Sequence, residues 1–337
     1  MRAVRFLGNG VADVAEVQDP KREAGEVYIK VMSSALCGSE NKGYFGDHSG
    51  RPGGYYIPGH EMSGEVLDPG AAKGLAKGDR VVVQIMDGCG KCPYCKNGTY
   101  QFCEQLKYEG GSHAQYISLP EKCVIKAPDD IDYDMLVLLG GDTVGVANRA
   151  ANQLDLRPGM WVFVSGAGPI GLGVTALLKY KGCKVVVSEP SAYRRDYIVK
   201  HAGADLVLDP AVDDLKARLR ELSDGIGPEI IIECSGNPRA QLQALELVRC
   251  GGTVMLCGEN YEGLTIVPSN HIIHKEVTLK GAFYFTADDF VDIVKMYRDG
   301  LDVSGLVSHK VPLDGAPDII REFSQGKTGK VIIHPQE

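Results

Sequence analysis

Four cysteines crowd into fifteen residues: Cys89-Gly-Lys-Cys92-Pro-Tyr-Cys95, then Cys103. The spacing C-x2-C-x2-C-x7-C lets four thiolates close a tetrahedral shell around zinc with no open position, so such a site braces a lobe and binds no substrate. Four unrelated free thiols in a polar loop would be reactive to no purpose. A second set of donors is dispersed. Cys37 lies in Cys37-Gly-Ser39-Glu40, His60 and Glu61 in Pro58-Gly-His60-Glu61, and Asp142 in Gly140-Gly-Asp142-Thr143. Cysteine, histidine and carboxylate are competent zinc ligands, and three of them plus an open position form the catalytic pattern. Taken singly, each also suits an ordinary role: Cys37 in a core, His60 satisfied in a turn, Asp142 as a helix N-cap.

A third signal is Gly166-Ala-Gly168-Pro169-Ile170-Gly171, between the apolar run Trp161–Ser165 and a helical pattern starting near Leu172. G-x-G-x-x-G alone is weak; between a strand and a helix it marks a dinucleotide site. The glycines permit a tight turn and close approach of a pyrophosphate, and the helix start offers free N–H groups and a positive dipole end. Glu189 stands 21 positions after Gly168, where an acid accepts hydrogen bonds from the adenosine ribose and repels a 2′-phosphate. NAD is therefore expected over NADP, although Arg194 and Arg195 nearby are suited to pairing with that phosphate.

These residues need two kinds of scaffold. Up to about residue 140 the chain reads as short strands broken by glycine and proline, among them Glu26–Met32, Gly78–Ile85 and Ala114–Leu119, without helical periodicity. From Asp142 strands and helices alternate: Trp161–Ser165, a helix over Leu172–Lys181, Lys184–Ser188, Leu206–Leu208, Ile230–Glu233 and Thr253–Cys257. Near-continuous apolar strands separated by helices predict a parallel sheet covered on both faces and ending near Leu279. Val146 follows Asp142 by four residues; Asn152, His113 and His271 fall in no motif that assigns them a role. Cys123, Cys183, Cys234, Cys250 and Cys257 lie in or beside apolar strands and read as core.

The 337 residues suit two domains. A formal charge of −8 disfavours nucleic acid as a partner. The ten cysteines are clustered rather than spread as a disulfide framework, the chain enters strand-like sequence at Met-Arg-Ala-Val-Arg-Phe, and no apolar run is long enough for a bilayer. The expectation is a cytoplasmic protein that neither spans nor binds a membrane.

The order Cys-Gly-Ser-acid, Gly-His-Glu, C-x2-C-x2-C-x7-C, Gly-x-Gly-Pro-Ile-Gly resembles the zinc-containing medium-chain alcohol dehydrogenases over essentially the whole chain. Val187-Ser-Glu-Pro-Ser-Ala-Tyr-Arg194 is similar to the second-strand segment of the polyol and butanediol members. The resemblance implies an α/β chain: a GroES-like, β-rich catalytic domain over 1–143 with a metal lobe at about 86–106, a Rossmann doubly wound parallel sheet over 144–282, and a return to the first domain over 283–337. It implies a structural zinc on Cys89, Cys92, Cys95 and Cys103, and a catalytic zinc on Cys37 and His60 with Glu61 as ligand or close exchangeable neighbour. Asp142 stands where sorbitol dehydrogenase-like members carry glutamate; being one methylene shorter, it is expected to reach the ion directly or through water. Ser39 occupies the relay hydroxyl position. Lys42 stands where many members carry the next relay histidine, so the path continues through His48, through ribose and water, or through Lys42, which also suits attraction of an anionic substrate group. Val146 falls where the family packs a side chain against the nicotinamide, and Tyr55, Tyr56 and Tyr284 are candidates for the pocket. The implied reaction is hydride transfer between a secondary alcohol (polyol, diol or cyclitol-like, or a phosphorylated or amino-substituted sugar alcohol) and NAD, by a homodimer or homotetramer. A zinc-free reductase would lack the Cys–His–acid set; a non-catalytic NAD-binding relative would have lost a ligand while keeping the glycine loop.

Overall fold

In the computed structural model, which describes residues 1–337, buried and half-exposed residues alternate along the strand Glu26–Ala35. That period of two fits a strand with one face on a core. The strand is central in a seven-stranded sheet ordered Val307–Pro312, Lys330–His334, Glu26–Ala35, Glu61–Asp68, Arg80–Val83, Val124–Lys126, with Tyr116–Pro120 also paired to Glu26–Ala35. Its two antiparallel registers set the geometry of everything below. Ala35 faces Glu61 on one side and Ile332 on the other. A core of Val4, Phe6, Leu36, Tyr44, Ile320, Phe323, Val331 and Ile333 lies under the helix Ala316–Ser324.

The sequence gives no sign of a helix before Asp142, and here the structure corrects it. Tyr133–Leu139 is a helix, capped by the Asp132 carboxylate, which accepts from the Met135 N–H. Its residues Met135–Leu139 are all buried, and an apolar run without polar spacing cannot be told from a strand by periodicity. Asp134 fastens this helix: it accepts from Ser33 Oγ (2.5 Å), His334 Nε2 (2.8 Å) and Lys310 Nζ (2.7 Å).

The second sheet has six strands, all parallel: Leu206–Leu208, Lys184–Ser188, Trp161–Ser165, Ile230–Glu233, Thr253–Leu256, Thr278–Gly281. Numbered along the sheet the order is 3-2-1-4-5-6, the Rossmann order, whose ligand crevice lies where the direction of winding reverses. The first strand sits at that reversal and leads straight into Gly166. Phe163, Val186, Leu219, Ile231, Leu245 and Val254 build one core face.

By contacts the chain forms two units, Met1–Gly145 with Phe285–Val294 and Val307–Glu337, and Val146–Tyr284 with Lys295–Leu306. The tail expected to return wholly to the first domain thus leaves Lys295–Leu306 with the second, where the Tyr197 hydroxyl donates to the Gly305 carbonyl at 2.8 Å. Among the cysteines read as core, Cys123 and Cys183 are buried and Cys234 and Cys257 partly so, but Cys250 is exposed, because it lies in the turn after Pro238–Leu247 rather than in a strand. No helix is long and apolar enough to cross a membrane.

Lys310, Ser33 and His334 hold the Asp134 carboxyl below its ordinary value, against the opposing effect of burial. A depressed carboxyl stabilises above its unfolded value and loses that contribution as pH falls through the folded one. Asp134→Asn is therefore expected to cost about 1–3 kcal/mol in urea unfolding at neutral pH, with the gap between variant and parent closing below about pH 4. A gap that persists at low pH would deny the carboxylate this role.

Candidate metal centre and coenzyme loop

The register of the first sheet brings the dispersed donors together. Because Ala35 pairs with both Glu61 and Ile332, the ends of three adjacent strands meet at one edge, and Cys37, His60, Glu61 and Lys330 lie within two residues of those pairs. Asp142 arrives at the start of the helix Asp142–Ala151. Cys37 Sγ is 3.5 Å from Asp142 Oδ2, and His60 Nε2 is 3.2 Å from the same oxygen. Ligands around one tetrahedral zinc, at its usual bond lengths, sit about 3.3–3.6 Å apart. Together with Glu61, these residues offer ligand atoms all within 4.8 Å of one another.

The electrostatics ask for a cation. Cys37, Glu40, Glu61 and Asp142 are all buried, and Lys330, fully buried, is the fixed positive charge among them. Burial, then the Asp142 charge, raises the Cys37 thiol. Burial alone would lower His60, yet its contacts with Asp142, Cys37 and Glu40 raise it well above its ordinary value. Asp142 Oδ1 is buried without a hydrogen-bond partner. A divalent ion would relieve this surplus, and a thiolate–imidazole–carboxylate set suits zinc. His60 and Asp142 keep side-chain exposures of 14% and 11%, enough for an open fourth position.

Glu61 is less free to join them. Lys330 Nζ donates to its Oε1 at 2.6 Å and to the Leu36 carbonyl at 2.9 Å, while the Asp142 N–H donates to Oε2 at 3.1 Å. Burial pushes the Glu61 carboxyl up to about 7 against the pull of Lys330.

The four-cysteine lobe is independent of this centre. Cys92 and Cys95 Sγ are 3.5 Å apart and Cys89 and Cys95 Sγ 4.0 Å, on either side of the roughly 3.8 Å expected between sulfurs on one zinc. Backbone N–H groups of Lys91 and Cys92 draw the Cys89 thiol down to about 6, whereas burial pushes Cys95 up to about 12. A divalent cation would make the four alike.

In the second unit, Gly166 has φ +98 and turns the chain out of the first strand. At Gly171 a Cβ would lie 2.0 Å from the Gly166 carbonyl oxygen, so only glycine lets the helix come this close. Gly168 is the N-cap of the helix Pro169–Tyr180, with no side chain capping it; those first N–H groups stay available to an anion. Glu189 accepts from the Ala167 N–H through Oε2 and from the Ser191 N–H through Oε1, both at 2.8 Å.

Comparison with known proteins agrees with this geometry. Residues 23–129 match the alcohol dehydrogenase GroES-like domain and residues 169–299 the zinc-binding dehydrogenase domain. The L-threonine 3-dehydrogenase of Pyrococcus furiosus is 34% identical, over 95% of this chain and 94% of that one. The chain belongs to the zinc-binding medium-chain alcohol dehydrogenases. The L-galactonate-5-dehydrogenase of Escherichia coli is 30% identical over 85% of this chain and 84% of that one. The solved 2R,3R-butanediol dehydrogenase of Bacillus subtilis superposes with a TM-score of 0.82 at 28% identity, over 99% of each chain. The protein is thus an oxidoreductase with a GroES-like and a Rossmann-type domain. The threonine dehydrogenases among its relatives were not part of the polyol and butanediol resemblance.

The dehydrogenase places its remaining candidates unevenly. Ser39 and Lys42 are exposed, in the short turns after Cys37. His48 is buried, its Nε2 2.7 Å from the Gly43 carbonyl and its ring edge-on to Tyr56. Val146 is buried. Arg194 lies beside the glycine loop, Nη1 3.7 Å from where a Cβ on Gly168 would be. Tyr55 and Tyr56 are half-buried; Tyr284 is buried with φ +56. Three residues escaped the sequence reading. Lys330 has no local signal, because its partner is 269 positions away. Glu40 stands inside the Cys37 motif without an assigned part. His113 was noticed without a role, and its neighbours explain why: Ser34, Glu40 and Pro58 all lie more than fifty positions away in the chain.

Lys330→Met would strand the Glu61 carboxylate in the core and is expected to cost about 3–5 kcal/mol in equilibrium unfolding. Adding Glu61→Gln should recover part of that loss. Equal stability of Lys330→Met and parent would show that the pair carries no structural weight.

Proposed function

We propose that this dehydrogenase oxidises a secondary alcohol that bears a second polar group on the neighbouring carbon, with NAD as hydride acceptor and the ketone as product. The observation that carries the reading is the meeting of Cys37 Sγ, His60 Nε2 and Asp142 Oδ2 at ligand-to-ligand distances. When bound there, zinc supplies Lewis acidity to the alcohol oxygen, and NAD supplies the hydride chemistry. Cys37, His60 and Asp142 hold the ion directly; Glu61 stays with Lys330 as the exchangeable neighbour. Cys89, Cys92, Cys95 and Cys103 hold a second, structural zinc.

Ser39 takes the proton released from the alcohol. His48 Nε2 is occupied by the Gly43 carbonyl, so Ser39, itself exposed, passes the proton to water, with His48 supporting the turn from beneath. Exposed Lys42 serves a substrate's anionic substituent. The free N–H groups at the start of Pro169–Tyr180 bind the pyrophosphate with Arg194 beside them, Val146 packs against the nicotinamide, and Glu189 binds the adenosine ribose with the lone pairs its backbone contacts leave. A carboxylate held in this way repels a 2′-phosphate, which favours NAD.

The substrate class rests on a shared chemistry. Threonine, galactonate and butanediol, the compounds named in the relatives, each carry a secondary hydroxyl beside a carbon bearing nitrogen or oxygen. Polyols, diols and amino or phosphorylated sugar alcohols fit that description.

The test is a screen of vicinal diols, polyols, hydroxy acids and β-hydroxy amino acids with NAD and NADP at alkaline pH, on protein assayed for zinc. We expect two zinc per chain, oxidation with NAD, and a fall of roughly 10³-fold or more in kcat/KM for Cys37→Ser and His60→Ala. Normal turnover in either variant would end the metal assignment, and a preference for NADP would end the coenzyme assignment.

A further inference from the structure

The zinc at Cys37, His60 and Asp142, as read above, demands one arrangement of the His60 ring. If Nε2 gives its lone pair to the ion, the proton sits on Nδ1, and the group facing Nδ1 decides how the ring is aimed. That group is Glu40, whose Oε1 is at ion-pair distance, 3.3 Å, from Nδ1 and has no hydrogen-bond partner of its own, so it is free to accept that proton. A carboxylate aims a ring only if it is itself fixed. Glu40 Oε2 is held by the Cys37 N–H at 3.3 Å and by His113 Nε2 at 3.2 Å. His113 is wholly buried.

His113 is in turn clamped from the far side. Its Nδ1 is 2.7 Å from Ser34 Oγ, which is 2.9 Å from Ser112 Oγ and donates to the Glu61 carbonyl at 3.2 Å. Its N–H donates to the Pro58 carbonyl at 3.0 Å. Its ring lies so close to the backbone before His60 that a Cβ on Gly59 would fall 2.7 Å from Nδ1. A continuous buried line therefore runs from the two serines through His113 and Glu40 to His60.

We propose that His113 is a positioning residue for the metal centre: by holding Glu40 from behind, it fixes the tautomer and aim of His60 and so sets the affinity of that site for zinc. It touches neither the ion nor the substrate. The proposal rests on the zinc assignment above.

The experiment measures zinc affinity by competition with a chromophoric chelator, on the full chain, for the parent, His113→Phe, His113→Gln and Ser34→Ala. The four-cysteine site serves as an internal reference. In His113→Phe the reference site keeps its zinc and the other site weakens by about 10- to 100-fold. His113→Gln, which retains a donor toward Glu40, restores affinity to within about threefold of the parent, a rescue that simple loss of packing would not give. Ser34→Ala falls between. Parent-like affinity in His113→Phe overturns the proposal, as does a His113→Gln variant no better than His113→Phe. If His113→Phe loses zinc at both sites it has misfolded, and Ser34→Ala decides: weakened affinity at one site supports the proposal and unchanged affinity overturns it. A parent chain holding zinc only on the four cysteines would instead end the functional reading, and this proposal with it.

Discussion

Four groups able to carry negative charge, Cys37, Glu40, Glu61 and Asp142, are buried together. Like charges out of water repel strongly, and each alone would be driven to its neutral form. The cluster persists because every member has an assigned counterpart. Lys330 pairs with Glu61, Glu40 is held by His113 and the Cys37 N–H, and Cys37 and Asp142 face each other where a divalent ion would complete the balance. Much of the first sheet follows from this need: its strand order delivers a lysine, a cysteine and a histidine–glutamate pair to one edge.

The second unit meets a different need by simpler means. A phosphate group requires backbone N–H groups that nothing else uses, and an uncapped helix start provides them. The buried carboxylates there are met by nearby backbone: Glu189 by the N–H groups of Ala167 and Ser191, and Glu233 by those of Ser235 and Gly236. This difference explains how the two sites read in the sequence. Everything that makes the glycine loop work lies within about 30 residues, from the strand Trp161–Ser165 to Glu189, and the strands of that sheet were found almost to the residue. The four cysteines are equally local.

The candidate metal centre was legible only in its donor residues, and those mainly through resemblance. What surrounds the ligands comes from pairings between distant strands, which residue spacing does not encode. Lys330 opens a short, almost wholly buried strand whose other residues are mostly apolar, and His113 follows an unremarkable Gly-Gly-Ser turn. Periodicity also failed where burial is complete, as in Tyr133–Leu139, since a helix hidden on all sides shows no polar face. The position of Lys295–Leu306 likewise depends on tertiary contacts such as Tyr197 with Gly305, which leave no mark in local pattern.

Lys330 reaches Glu61 across 269 positions of chain, so closing this contact is among the most entropically demanding steps in the molecule. Until Lys330–His334 pairs with Glu26–Ala35, that strand presents unpaired backbone, and Glu61, on the strand beyond it, is without its cation. The final strand of the sequence therefore acts as a latch: the pocket gains its full electrostatic complement only once this strand is in place.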